Sequence, residues 1–108
     1  MPTLLDKRNP ISYIYRMIRR FRHKGLERFV RDGNTSGINT QQAAKLRRLL
    51  TQLNVSTGPV GMNVPGFRLH QLKGDRRGEW AVSVSGNWRL VFVFDGEDAS
   101  DVDLVDYH

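Results

Sequence analysis

Residues 79–94 read EWAVSVSGNWRLVFVF, and this stretch decides the fold. It holds two runs of alternating apolar residues. Trp80, Val82 and Val84 share one face of the first, and Trp88, Leu90, Phe92 and Phe94 share one face of the second. Ser85-Gly86-Asn87 between them is turn chemistry, because Gly and Asn accept the positive φ that a tight hairpin needs. The stretch therefore predicts an antiparallel hairpin with one apolar side, and both tryptophans, in phase with that side, read as core. Asp95-Gly96-Glu97-Asp98 predicts a further turn, after which Val102 and Leu104 give a last strand its inward face.

Upstream the period changes. Phe67–Lys73 is a further candidate strand, preceded by a loop at residues 54–66 with two prolines and three glycines. Before the loop, Ala43, Leu46, Leu49, Leu50 and Leu53 keep a 3.6-residue period, which predicts a helix ending near Leu53. Asn39 suits its N-cap, with Gln42 three residues on in the capping-box position. Lys45, Arg47 and Arg48 fall largely on the opposite side and make a basic face. A shorter helix is predicted over Lys24–Arg31, where Leu26, Phe29 and Val30 form an apolar stripe and Gly33 suits the C′ position. Met17-Ile18-Arg19-Arg20-Phe21 alternates as a first strand would. Helices followed by an antiparallel meander predict an α+β fold, with two N-terminal helices packed on a twisted, mainly antiparallel sheet of four to five strands. Residues 1–16 show no amphipathic period and read as an N-terminal extension, either foreign to the domain, added by an upstream start codon, or a genuine arm; residues 17–108 read as the domain.

The 108 residues suffice for one small core, and the absence of cysteine excludes disulfides and thiolate metal sites. No apolar run reaches the length of a membrane span and no signal peptide is visible, so the chain reads as soluble and intracellular, with no membrane partner expected. The net charge of +6 is unevenly spread. Residues 1–78 hold 16 Lys/Arg against four Asp/Glu, whereas residues 79–108 hold Arg89 and seven acids. A body this basic attracts polyanions. Charge alone is also compatible with ordinary solvated faces. The chain ends on Asp106-Tyr107-His108, three proton-handling groups beside that basic body, and the combination points to chemistry on a phosphate-rich substrate, RNA first.

Several motifs carry a family resemblance. Phe21-Arg22-His23-Lys24-Gly25-Leu26, Phe67-Arg68-Leu69-His70-Gln71-Leu72-Lys73-Gly74-Asp75-Arg76, Gly78-x-Trp80, Gly86-Asn87-Trp88-Arg89 and the terminal Asp106-Tyr107-His108 resemble the HigB-type toxins of the RelE/ParE toxin–antitoxin superfamily. The resemblance spans about residues 17–108; the family usually begins near Met17, so residues 1–16 depart from it. It implies a type II toxin that inhibits translation and growth as a ribosome-dependent endoribonuclease, cutting mRNA in the A site of the 70S ribosome. It also implies a cognate antitoxin, often a helix-turn-helix protein of the HigA kind, with operator DNA reached only through that antitoxin. By motif, His70, Asp106, Tyr107 and His108 are the expected active-site residues, and Lys73, Arg76 and Arg89 the supporting cations. Arg68, Arg77, Lys45 and Arg48 complete the set expected to hold RNA.

These residue types suit metal-free cleavage, with no cofactor. The ribose 2′-OH attacks the adjacent phosphate, so one group must take the 2′ proton, another must protonate the leaving 5′ oxygen, and cations must stabilise the phosphorane. Histidine, with an unperturbed pKa near ~6.5, suits either proton task. His70 and His108 on separate strands could flank one phosphate, with the roles of acid and base open between them. Asp106 shares parity with His108 and either orients an imidazole or acts as base. Tyr107 alternates to the other face and either stacks on a base or donates to phosphate. Neither His-x-x-x-His nor HExxH spacing is present, so no metal site is expected. A strand histidine or a terminal one is ordinarily structural or solvated, and only the combination in a basic domain argues otherwise. Gly74-Asp75-Arg76-Arg77-Gly78 lacks the Walker spacing and reads as a basic hairpin tip touching rRNA or mRNA, or as a plain turn. Arg89, isolated beside Val91 and Val93, calls for a phosphate or for an acid on the last strand. Two other functions compete: a DNA gyrase poison of the ParE kind, which needs no such acid–base set, and a non-catalytic RNA- or ribosome-binding module.

Overall fold

The computed structural model describes residues 18–107. Helix α1 (Lys24–Asp32) and helix α2 (Ala43–Val55) cover one face of a four-stranded antiparallel meander, β1 (His70–Gln71), β2 (Trp80–Ser85), β3 (Trp88–Asp95) and β4 (Asp98–Asp106), in that spatial order. The α+β expectation holds. The core lies between the layers. Leu26, Phe29 and Val30 of α1 and Leu46, Leu49, Leu50 and Leu53 of α2 meet Val82, Val84, Leu90, Phe92, Val102 and Leu104 of the sheet. Trp80, Trp88 and Phe94 pack at its margin, as their phase predicts.

Both helices begin at identifiable caps. His23 accepts the Leu26 N–H on Nδ1 at 2.9 Å, and Gly33, at φ 73°, ends α1 in the left-handed conformation predicted for it. Asn39 accepts the Gln41 N–H at 2.9 Å, capping a short 3₁₀ turn (Thr40–Gln42) that leads into α2. Gln42 does not complete a capping box. It is buried, and its side-chain amide donates to Ser85 Oγ at 2.8 Å, tying the start of α2 to the end of β2. Tertiary contact here outweighs the local cap.

Gly25 and Gly37 press together where α1 meets the loop before α2, and a Cβ added at Gly25 would overlap the Gly37 carbonyl. Because the obstacle is backbone, relief requires moving a helix or the loop. Gly25→Ala is therefore expected to destabilise the domain by about 1–3 kcal/mol despite alanine's better helix propensity. Urea unfolding with an unchanged m-value would measure it.

Two expected strands are shorter than the pattern suggested. Of Phe67–Lys73 only His70–Gln71 pairs with β2. Arg68 sits at φ 59°, which breaks the extended run, while Phe67 turns into the core and its carbonyl accepts the Ser83 N–H. The first-strand expectation reduces to one parallel bridge, Phe21 with Val102; Met17 lies outside the described residues. The backbone at Arg19, Arg20 and Arg22 does bond along β4, to Ala99 and Val102. A β-bulge interrupts that edge: Asp101, at φ 51°, and Val102 together oppose Phe92. The segment is held by charge as well. Arg19 pairs with Asp95 (2.6 Å) and Asp98 (3.2 Å), and Arg20 with Asp101 (2.7 Å). Part of the acidic C-terminal third thus neutralises the basic N-terminal part within the molecule.

Candidate active site

The face of the sheet away from the helices carries the candidate site. Its register sets the positions. His70, Ala81, Val91 and Asp103 form one cross-strand row, and Ser83, Arg89 and Val105 form the next. Leu72, Ala81 and Val91, with Val105 against them, make a small apolar patch that anchors this outer face. Alternation through Asp103 and Val105 brings Tyr107 to the same side. Its N–H donates to the Asn87 carbonyl at 2.8 Å, so the chain near its end is pinned to the β2–β3 turn rather than frayed. Tyr107 is 39% exposed, which leaves it available to a ligand.

His70 is exposed on the edge strand, with Nδ1 3.2 Å from the Arg68 carbonyl oxygen. That contact holds the ring when Nδ1 carries the proton and leaves Nε2 directed elsewhere. The row places His70 three strand spacings from β4, about 14 Å on a flat sheet. Asp106 lies opposite Trp88, on the helix side, so the structure puts it on the other face from His70 and Tyr107. His108 lies outside the described residues.

The cations divide into two groups. Gly74–Arg76 forms a 3₁₀ turn closing the β1–β2 hairpin, with Gly74 and Gly78 at positive φ, so the expected basic hairpin tip is present. Lys73 and Arg77 flank it and are exposed, as is Arg68. Arg76 is half-buried and forked onto Glu79, Nε to Oε2 at 3.1 Å and Nη2 to Oε1 at 2.9 Å. Its pKa is raised above the ordinary arginine value, chiefly by that hydrogen bonding; burial opposes the shift, and the charges of Glu79, Tyr107 and Asp103 reinforce it. Arg76 therefore stays charged at any working pH. Arg89 pairs with no acid among the described residues; its Nη1 donates to the Gly86 (2.8 Å) and Trp88 (3.0 Å) carbonyls. Of the two sequence readings of Arg89, the acid on the last strand is therefore not its partner.

Lys45 and Arg48 belong to the helix layer, away from this group. Lys45 Nζ lies 5.3 Å from the Phe67 ring centroid, and Arg48 borders a groove of about 410 Å³ with Arg47, Thr51, Gln52, Val64 and Phe67. The sequence reading missed Glu79 as a site residue, together with the Arg22 Nη1 that lies 3.6 Å from it. The three-residue spacing of Arg76 and Glu79 across Gly78 was the available signal. Among the described residues no group of three or more His, Cys, Asp or Glu comes together as a metal site would, and no helix is long and apolar enough to cross a membrane.

A two-helix, antiparallel-meander domain with histidine, phenol and guanidinium groups on its open sheet face has the form of a small RelE-like toxin. The family model for the RelE-like toxin of the type II toxin–antitoxin system HigB matches residues 19–108, and the chain belongs to that family. Its class therefore implies an antitoxin partner. Endoribonuclease HigB of Proteus vulgaris is 38% identical over 92 residues, which cover 85% of this chain and 100% of that protein.

Proposed function

We propose that the chain is a ribosome-dependent endoribonuclease that cuts mRNA in the ribosomal A site without a metal ion. The observation that carries this reading is the outer sheet face, where exposed His70 and Tyr107 share a surface with Arg89 and with Arg76, which is forked onto Glu79, in a chain similar over 85% of its length to a protein named as an endoribonuclease. In this scheme the 2′-OH oxygen attacks the neighbouring phosphorus as a general base takes its proton, and the 5′ oxygen leaves with a proton from a general acid. His70 and His108 divide these tasks, Tyr107 stacks or donates to phosphate, and Asp106 acts from the strand's other face by orienting the terminal residues. Arg76, Arg89 and Lys73 stabilise the developing charge. Arg68 and Arg77 hold the RNA on either side, and Lys45 and Arg48 contact RNA from the helix layer. The antitoxin is of the helix-turn-helix kind and carries the pair to operator DNA, and the site of action is the bacterial cytoplasm.

Translation of a defined mRNA with purified ribosomes, mapped by primer extension, tests the reading. The expected products are a 5′ fragment ending in a 2′,3′-cyclic phosphate and a 3′ fragment beginning with a 5′-OH, formed only when ribosomes are present. Cleavage of free RNA alone, or none, would defeat it, and trapping of gyrase on DNA instead would favour the gyrase-poison alternative. Removal of residues 1–16 is expected to leave the cut intact; a loss of folding or cleavage on truncation would make those residues part of the domain.

A further inference from the structure

Glu79 is a carboxylate of the outer face that the acid–base scheme does not use. Glu79 precedes β2, its side chain is only 15% exposed, and it lies between two arginines. Closure of the hairpin does not need its carboxylate. Backbone bonds already close it, from Leu72 N–H to the Glu79 carbonyl, from Glu79 N–H to the Arg76 carbonyl and from Arg77 N–H to the Gly74 carbonyl. What the carboxylate adds is orientation. Its fork with Arg76 takes up Nε–H and one Nη2–H, and leaves the remaining guanidinium hydrogens for another acceptor. Without the fork, a long side chain on a glycine-flanked turn would sample many rotamers. A carboxylate on a face meant for phosphate also repels it, and Arg22, 3.6 Å away, offsets that charge. Arg22 comes from the segment beside β4, so the Arg22–Glu79–Arg76 chain crosses the outer face from one sheet edge toward the hairpin tip.

We propose that Glu79 is a positioning residue that aims the Arg76 guanidinium at the RNA phosphate, with Arg22 compensating its charge. The proposal rests on the endoribonuclease reading above.

The test is single-turnover cleavage of a defined mRNA on ribosomes, followed over toxin concentration, for the full chain, Glu79→Gln, Arg76→Ala and the double variant. Glu79→Gln keeps the shape but loses the charge-assisted fork. It is expected to lower the maximal rate about tenfold, the scale of one charge-assisted hydrogen bond, with little change in the half-saturating concentration. Arg76→Ala is expected to fall at least as far, and the double variant no further than Arg76→Ala, because Glu79 acts through Arg76. A wild-type rate for Glu79→Gln, additive losses in the double variant, or a rise in cleavage would overturn the proposal; a rise would mean that the carboxylate competes with phosphate. If Glu79→Gln unfolds at the assay temperature, Glu79→Asp, which keeps the charge but is too short for the fork, takes its place with the same expected result. No cut by the wild type would overturn the endoribonuclease reading and this proposal together, whereas a cut by the wild type with an unchanged Glu79 variant overturns this proposal alone.

Discussion

His70→Ala is expected to lower ribosome-dependent mRNA cleavage by about 10²–10⁴-fold, the contribution of one positioned general acid or base. His108→Ala is expected to fall in the same range. The reaction needs both a base and an acid, so the loss of either group is expected to be costly. The loss should be confined to chemistry. His70 is exposed on a two-residue edge strand and packs into no core cluster, so its replacement should change stability by no more than about 0.5 kcal/mol. Primer extension across a time course gives the rate, and thermal melting gives the control. Wild-type cleavage by His70→Ala would remove that residue from the chemistry. If both variants still arrested translation while loss of Arg or Lys charge weakened binding uniformly, the protein would be an RNA- or ribosome-binding module rather than a nuclease.

The second large effect is on the fold. Phe92 is fully buried at the centre of β3 and meets Phe94 edge-to-face, with ring centroids 5.9 Å apart. Phe92→Ala is expected to cost about 3–5 kcal/mol, from lost burial and the cavity left between sheet and helices. A domain of this size has about 5–15 kcal/mol in total and loses about 4–8 °C of Tm per kcal/mol, so the variant should melt at least ~12 °C lower. Val60→Ala is the matched control: Val60 is 83% exposed, and its truncation should move stability by less than about 0.5 kcal/mol. A Phe92→Ala melt indistinguishable from that of Val60→Ala would contradict the core described above.

The hairpin at residues 79–94 is legible in the sequence because its two faces differ chemically. Trp80, Val82 and Val84, then Trp88, Leu90, Phe92 and Phe94, could be buried together only by one register. Both helices were readable for the same reason, and so were the caps at Asn39 and Gly33, whose preferences are local. The family motifs identified His70 and the terminal Asp106-Tyr107-His108 as candidates, because residue type and order survive without geometry.

What failed to show in the sequence depends on partners distant along the chain. Nothing local announces that Arg68 leaves the extended region, that Gln42 abandons its cap for Ser85, that β4 bulges at Asp101, or that residues 18–22 meet β4 through a single bridge. The same holds for the candidate site. Residue types named the candidates for proton transfer, but face and company came from register: Asp106 goes to the helix side with Trp88, Tyr107 goes outward, and Lys45 and Arg48 stay in the other layer. Alternation along one strand assigns relative sides, while the absolute side depends on which face the helices cover. The Glu79 carboxylate between Arg76 and Arg22 is the clearest case, since an ion pair across a sheet exists only once several strands are aligned.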